Sequence, residues 1–511
     1  MSVAFVVPAI RLRRDTTGWS YRVPATMVLQ AGSLVVIPFR GHATLGVVWE
    51  ISDKDDRASV AISEVLTPQP LLRAAHRETV EWLSQAGLCS LSTALYTWLP
   101  RALRKLPLTG PAKEELERFN AFHPTPQIIA LAKQHLVCVA GRRPEQEASL
   151  AAKFGERFAT LFAYEGETAE LARWVDIATG AIQLGLGREN GLLAPWLNLR
   201  HLTLVEPEDI SFYHEQTPYL SMVDLARELA RVHKAEVATR SYLPQAASEL
   251  AWGTGTLGSK PEATVRITDL RKEPLVSAEL VVAIQETLSR GKTVLLLHNA
   301  HDRLVQEEDK SQKLLPGIET VRRQLAHALG AESLPKEVVL ESRVLFHRPH
   351  TNVGLTAVLN CDYILRAQLF ADQLHGWSDL GHLLAYPVPC WVQTYRPEHQ
   401  LVVALANRMF EPYVLEQVRA RKEASLPPFA EELVASAKGD VDAATLYAQL
   451  QPLVQAPWQL SQPFTGLVRK DEYTHIMLIA PTGTRLTGPA RKVLLSLKRP
   501  WRVQHNPWYV L

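Results

Sequence analysis

Residues 276–299, VSAELVVAIQETLSRGKTVLLLHN, carry an amphipathic helical pattern that ends at Gly291 and is followed at once by an apolar run. Apolar residues recur every three to four positions up to Leu288 and then become continuous, which predicts a helix followed by a buried strand. A buried strand next to a helical segment is typical of a parallel sheet with crossover helices. This stretch therefore predicts an α/β lobe.

The same alternation extends in both directions from this stretch. Towards the C-terminus, the apolar runs RVLFH (343–347) and GLTAVLNCD (354–362) predict two further strands. Towards the N-terminus, short apolar strands separated by helical segments are predicted at 136–139, 181–185, 202–205 and 235–238. Two consecutive runs of this kind predict two tandem α/β lobes.

The two ends of the chain have different patterns. Residues 32–52, GSLVVIPFRGHATLGVVWEIS, alternate apolar and polar positions between glycines, which predicts a small β-rich domain. A helical stretch follows at about 71–106, and the pattern after residue 426 is mixed α+β. A chain of 511 residues exceeds what one hydrophobic core usually supports, so several domains are expected.

Composition excludes several classes of protein. The apolar runs are far shorter than the roughly 20 residues that a membrane-spanning helix needs. The start, MSVAFVVPAIRLRRD, lacks a basic region before its apolar patch and a cleavage site after it, so no secretory signal and a cytoplasmic location are expected. The formal net charge is only +2, so any affinity for nucleic acid must come from local basic patches.

The cysteines do not predict a zinc site. The chain has four of them, far apart, without a CxxC pair and without histidines at metal-ligand spacing. Cys138 and Cys361 lie in apolar, strand-like runs, where a buried thiol is the usual state.

Two segments, WVQTYRPEHQLV (391–402) and FEPYVLEQVRARKEASLPPF (410–429), carry the most specific family resemblance. At many positions with fixed spacing, they resemble the PriA family of replication-restart helicases, also called primosomal protein N-prime. Weaker matches cover 31–52, 187–207, 217–230 and 358–365. The resemblance implies an α/β protein with a 3′-DNA-end-binding domain at 1–107, two RecA-like helicase lobes at 120–255 and 256–425, and a C-terminal domain at 426–511.

The residues that the family uses to hydrolyse ATP are missing from the first lobe. A phosphate-cradling loop needs glycines and a Gly-Lys-Ser/Thr sequence, but after Gly141 this chain has Arg142, Arg143 and Pro144. Proline lacks an N–H, so the run favours a helix start over a nucleotide cradle. Where the family has Asp-Glu-Glu-His, the chain has VEPE (205–208), which keeps Glu206 but loses the metal-binding aspartate.

The second lobe has lost its part of the site as well. The two arginines that the family places there to stabilise the transferring phosphoryl group correspond to Leu383 and Tyr386. A short polar loop (305–316) stands where the family has a cysteine-rich zinc insertion. The resemblance therefore implies a degenerate helicase without ATP or zinc as a cofactor. The alternative left open is an active ATPase with an unconventional site that uses Arg142 and Glu206.

Candidate DNA-binding residues come from both ends of the chain. In the family, an aromatic-Asp-Tyr triplet and a glycine turn bind the 3′-terminal nucleotide, and by position the triplet corresponds to Trp19, Ser20 and Tyr21, with Arg40 and Gly41 at the turn. Basic residues with aromatics nearby also suit contacts to the DNA backbone, with a solvated surface as the alternative interpretation. These basic candidates are Arg13, Arg14, Arg469, Lys470, Arg491 and Lys492.

The sequence thus predicts a DNA-binding protein of replication restart rather than an enzyme. The expected partners are forked or single-stranded DNA, with primosome or single-strand-binding proteins as further candidates and no membrane. Two rivals remain at this stage, an active DNA-dependent ATPase and a protein-binding scaffold of the primosome.

Overall fold

A computed structural model describes residues 2–14, 16–52, 58–162, 166–214, 218–243, 264–300, 303–306, 312–367, 370–426, 428–439, 441–468 and 471–506. The chain forms two compact units. The first unit contains Met1–Pro207, Ser211–Ala238 and Ser425–Leu511, and the second contains Glu208–Ile210 and Thr239–Ala424. The four predicted domain ranges stay predictions beside this division.

The first unit begins with an antiparallel five-stranded sheet in the order β2-β1-β4-β3-β5. Its core contains Val6, Tyr21, Ile37 and Val48. The predicted β-rich N-terminal region is therefore confirmed. The strands are β1 Val3–Pro8, β2 Trp19–Arg22, β3 Leu34–Phe39, β4 His42–Ser52 and β5 Glu64–Val65.

Four helices and a 3₁₀ turn connect this sheet to the next one. Ser90 begins the second helix by accepting a hydrogen bond from the backbone N–H of Thr93, which satisfies one of the free donors at the helix start. The helices are α1 Ala74–Ala86, α2 Leu91–Trp98, α3 Gly110–Ala121 and α4 Pro126–Leu131, and the 3₁₀ turn is Arg101–Leu103.

The first α/β sheet has the strand order β12-β9-β6-β8-β7. Strand β6 pairs in parallel with both β8 and β9. From β6 the chain continues to β7 at one edge of the sheet, and from β9 it continues to β12 at the other edge. The carboxyl ends of β6 and β9 therefore form the switch point where α/β sheets usually bind ligands. The elements are β6 Gln134–Val139, α5 Pro144–Phe154, β7 Phe158–Leu161, α6 Glu167–Thr179, β8 Leu184–Gly187, α7 Glu189–Leu192, β9 Leu199–Val205, β10 Tyr213–His214, β11 Leu220–Ser221, α8 Met222–His233 and β12 Glu236–Arg240.

The second unit is built on another five-stranded sheet, in the order β13-β19-β18-β14-β17, whose neighbouring strands are parallel. The stretch 276–299 forms helix α9 and strand β14 as predicted, and Ser277 Oγ accepts the N–H of Leu280 at the helix start. The elements are β13 Val265–Asp269, α9 Ala278–Ser289, β14 Thr293–Leu297, β15 Arg303–Gln306, β16 Gln312–Leu315, α10 Ile318–Ala328, β17 Val338–Glu341, β18 Val353–Val358, α11 Asp362–Leu365, α12 Phe370–Leu384, β19 Cys390–Thr394, α13 Gln400–Ala406 and α14 Phe410–Glu423.

Two local predictions in this unit are wrong. The run RVLFH is a 3₁₀ helix, Arg343–His347, and the strand at this edge is the preceding β17. The run contains Leu345, which is buried, but Val344 is 47% exposed, so its apolar residues do not line one buried face. Residues 305–316 were predicted as a polar loop, but part of this range belongs to β15 and β16, which pair with each other in an antiparallel manner.

The chain returns to the first unit for its α+β C-terminal region, as predicted. Strand β20 pairs antiparallel with both β23 and β24. The hydrophobic core of this region includes Leu433, Leu446 and Leu494, together with Leu88 from the segment after α1. The elements are β20 Ala430–Lys438, α15 Ala443–Leu450, β21 Gln459–Leu460, β22 Phe464–Val468, β23 Asp471–Pro481, α16 Gly488–Ser496 and β24 Arg502–His505.

All four cysteines are buried as free thiols, which confirms the prediction for Cys138 and Cys361. Within the described ranges, no helix is both long enough and apolar enough to cross a membrane. The same ranges contain no group of three or more His, Cys, Asp or Glu side chains that could hold a metal ion.

Candidate nucleic-acid interface

Strand β2 and the β3–β4 hairpin bring several predicted DNA-binding residues together. The half-buried ring of Trp19 meets the Phe39 ring edge-on, with 4.6 Å between the ring centroids. The exposed Arg40 places its guanidinium carbon 5.2 Å from the centroid of the same Phe39 ring. Trp19 and Arg40 therefore flank one phenylalanine, and we call Trp19, Phe39, Arg40 and Gly41 the hairpin edge.

The turn of this hairpin depends on its residue types. Arg40 has φ 50° and Gly41 has φ 83°, and two consecutive left-handed residues are what a two-residue hairpin with the natural strand twist requires. A Cβ added to Gly41 would meet no atom within 4 Å, so the backbone angle and not crowding favours glycine. The turn leaves Arg40 in solvent, where it can reach a phosphate.

Tyr21 has a structural place in the sheet. Its side chain is 4% exposed, and its hydroxyl donates a hydrogen bond to the Pro38 carbonyl at 3.2 Å. Burial raises the pKa of Tyr21, so the hydroxyl remains a donor at neutral pH. Because residues 19 and 21 alternate with Ser20 along the strand, Trp19 and Tyr21 both pack towards the sheet core. The Tyr21 ring thus supports the hairpin edge from within the sheet.

The basic candidates divide between exposed and half-buried positions. Arg13 and Lys492 are exposed, whereas burial lowers the pKa of both Arg14 and Arg491. Arg14 and Arg491 also interact electrostatically with the buried thiol of Cys89, so both lie beside the same residue. The remaining two, Arg469 and Lys470, lie outside the described residues.

The crevice at the carboxyl ends of β6 and β9 is filled by an ion pair. Arg143 Nη2 lies 2.9 Å from Glu206 Oε1, and the two side chains are 15% and 6% exposed. Glu206 has φ 57°, an unusual angle for a residue with a side chain, which indicates that the surrounding structure fixes it. A group bound at this switch point would have to displace a buried salt bridge.

The start of α5 is also occupied. Glu147 Oε1 accepts the backbone N–H of Arg143 at 3.0 Å, and Glu147 Oε2 lies 2.6 Å from Arg142 Nη2. Backbone N–H groups at a helix start are the donors with which a nucleotide cradle binds phosphate. Here a carboxylate of the chain itself takes that place, and Pro144 occupies the first helical position, as predicted.

The second unit has no guanidinium at the two positions where the family carries its catalytic arginines. Leu383 is fully buried in α12, and Tyr386 is half-buried with its pKa raised by burial. Asp379, on the same helix as Leu383, lies instead in a polar network. Its carboxylate lies 2.7 Å from Arg343 Nε and accepts a hydrogen bond from the Tyr363 hydroxyl at 2.7 Å. These contacts stabilise the unit itself.

Comparison with known proteins places the N-terminal region. Residues 6–100 match the family model of the PriA 3′DNA-binding domain (3′BD), a range that includes the end of β1, β2–β5, α1, α2 and the hairpin edge. The chain is PriA-like. It is 21% identical to the replication restart protein PriA of Rickettsia felis, over 55% of this chain and 51% of the relative. It is 22% identical to that of Bacillus subtilis, over 38% of this chain and 26% of the relative.

The PriA-like chain thus spans about half the length of the first curated relatives that it matches. Phe39, which contacts both Trp19 and Arg40, was not predicted from the sequence. Its position directly before the turn could have indicated it. The pairing of Arg143 with Glu206, for which the sequence carries no local signal, was not predicted either.

Proposed function

We propose that this PriA-like chain binds forked or single-strand-containing DNA in replication restart and does not hydrolyse ATP. The observation that carries the proposal is the 3′DNA-binding domain match at residues 6–100, within which Trp19 and Arg40 both contact Phe39 at the hairpin edge. An aromatic ring for base stacking beside an exposed guanidinium for phosphate is the combination that single-stranded DNA ends require. Ser20, in place of the family's aspartate, offers a hydroxyl that can accept a hydrogen bond without adding negative charge near the DNA.

The absence of hydrolysis is the second part of the proposal. Two five-stranded sheets with parallel neighbours are consistent with degenerate RecA-like lobes. A nucleotide site in the first of them would need free backbone donors and room for phosphate, and these positions are taken by Glu147 and by the Arg143–Glu206 pair. A cytoplasmic location and contacts with primosome or single-strand-binding proteins belong to the same proposal.

Fluorescence anisotropy with labelled DNA tests the binding. We expect the chain to bind a fork with a single-stranded arm more tightly than duplex DNA, and affinity to fall as salt rises. Arg40→Gln and Arg13→Gln should each flatten the slope of log affinity against log salt by about 1, because each removes one phosphate contact. Arg323→Gln, an exposed arginine on α10 in the second unit, is the matched control and should leave the slope unchanged. Equal affinity for fork and duplex would contradict the proposal.

A phosphate-release assay tests the loss of hydrolysis. With saturating fork DNA, magnesium and ATP, we expect release at the rate of a protein-free blank. The physical reason is that each lost element, the cradle, the metal ligand and the arginines, contributes on the order of 10³-fold to phosphoryl transfer. Turnover that is stimulated by DNA and abolished by Glu206→Gln would establish the unconventional ATPase instead.

A further inference from the structure

A cleft in the first unit lies outside the hairpin edge and the β6–β9 crevice. It has a volume of about 60 Å³, between the end of α2 with its following 3₁₀ turn on one side and β7, α6 and α7 on the other. This size suits a small polyatomic group rather than a nucleotide. Its polar lining includes Arg104, Glu170, Arg173 and Asn190, with Trp98 and Trp174 among the apolar part.

Arg104 is fixed in place by the end of α2. Its Nε donates to the Leu99 carbonyl at 2.7 Å and its Nη2 donates to the Thr97 carbonyl at 3.1 Å. A guanidinium has five N–H donors, so these two bonds and a hydrogen bond with the Tyr96 side chain orient the group and leave others for a ligand. Burial lowers the pKa of Arg104, which shows that its charge is partly withdrawn from water.

A second guanidinium accompanies Arg104. The guanidinium carbons of Arg104 and Arg11 lie 4.9 Å and 5.3 Å from the centroid of the same ring, that of Tyr96. The two like charges repel each other, while Tyr96 and Glu170 attract the charge of Arg104. Among the residues that the structure describes, neither arginine has a carboxylate within 4.0 Å.

The carboxylates of this neighbourhood are engaged elsewhere. Glu170 lies 2.6 Å from Arg101, and Glu189 lies 3.1 Å from His214. Both carboxylates attract the charge of Arg104, but from more than ion-pairing distance. A half-buried guanidinium beside a second one favours an external anion, because a partly desolvated charge is costly until it is paired.

We propose that this cleft binds a phosphate group, with Arg104 as the principal contact, Asn190 on the cleft wall and Arg11 adding to the local positive potential. Arg173, whose Nη1 donates to the Thr160 carbonyl, adds a further positive charge to the lining. The phosphate can belong to the DNA backbone or be free in solution, since the two present the same oxygens. Binding of a DNA backbone phosphate rests on the proposed function, whereas binding of free phosphate does not.

The test introduces a carboxylate into the cleft. Asn190→Asp keeps the size of the side chain and gives Arg104 an internal counter-ion that competes with phosphate. The matched control is Asn407→Asp, the same change at an exposed position after α13 in the second unit. In ³¹P NMR of inorganic phosphate, we expect the full chain and Asn407→Asp to broaden the signal and Asn190→Asp to leave it sharp. A signal that stays sharp with the unmodified chain, or that Asn190→Asp broadens equally, overturns the proposal.

A second measurement identifies the source of the phosphate. In anisotropy with a single-stranded oligonucleotide, a salt slope that is flatter by about 0.7 in Asn190→Asp shows that the cleft holds a backbone phosphate. An unchanged slope together with loss of the ³¹P broadening shows that it holds free phosphate. Arg11→Gln, at an exposed residue, is a second variant that should weaken the broadening without a change in the thermal melt. If the chain bound no DNA at all, the proposed function would fail while the inorganic-phosphate result still decided the cleft.

Discussion

Arg143→Ala is expected to lower the free energy of unfolding of the first unit by about 3 kcal/mol. The change removes the guanidinium that lies 2.9 Å from Glu206, whose side chain is only 6% exposed. A carboxylate that remains buried after its ion-pair partner is deleted retains its desolvation cost and loses the compensating attraction. Chemical denaturation followed by circular dichroism measures the effect.

The control for this prediction removes both charges. Arg143→Met with Glu206→Met replaces the pair by apolar side chains of similar length, and we expect the double variant to be close to the unmodified chain in stability. Arg143→Met and Glu206→Met measured singly complete a double-mutant cycle, in which the change in the double variant minus the two single changes gives the coupling between the side chains. If Arg143→Ala shifted the stability by less than about 0.5 kcal/mol, as surface substitutions do, the pair would not fill the β6–β9 crevice in the manner described.

The ion pair also illustrates what the sequence could and could not predict. The start of α5 at Pro144 was predictable, because proline suits the first turn of a helix and disrupts a phosphate cradle. The pairing of Arg143 with Glu206 was not, because the residues are 63 positions apart and meet only through the adjacency of β6 and β9. The sequence therefore indicated a helix start rather than a nucleotide cradle after β6, and the structure adds the Arg143–Glu206 pair at the carboxyl ends of β6 and β9.

Secondary structure was likewise predictable only where the local sequence pattern was clear. The helix α9 and strand β14 were predictable because the period of the apolar residues changes at Gly291. Strand β7 was missed, since its four residues FATL include only two buried positions and carry too short a pattern. In RVLFH the local pattern misled, because the adjacent run VVLE takes the edge position of the sheet as β17.

Alternation in β2 placed Trp19 and Tyr21 on one face, but it could not tell which face the core covers. This matters for the hairpin edge, because an aromatic pair on one face of a strand can act on DNA or on the fold. In the structure, Tyr21 is 4% exposed, so its role is to support the fold. Arg40 lies in solvent, where a side chain can contact DNA. Substitutions at these two positions should therefore have opposite signatures.

Tyr21→Ala is expected to lower the free energy of unfolding by about 4 kcal/mol and to abolish DNA binding with it. The substitution leaves a cavity beside Val6, Ile37 and Val48 and removes the hydrogen bond to Pro38. Tyr21→Phe keeps the ring and loses only the hydroxyl, at a cost of about 1 kcal/mol, and should keep DNA affinity. Denaturation and fork-DNA anisotropy on the same preparations measure both quantities.

Arg40→Gln completes the comparison, because it should weaken fork binding while the unfolding curve stays in place. Its guanidinium lies in solvent over Phe39, so the fold loses little when the charge is removed. Loss of fork binding in Tyr21→Phe without loss of stability would show that the hydroxyl contacts DNA directly. That result would require the hairpin edge to open and expose a residue that the folded sheet buries, so it would contradict the supporting role assigned to Tyr21.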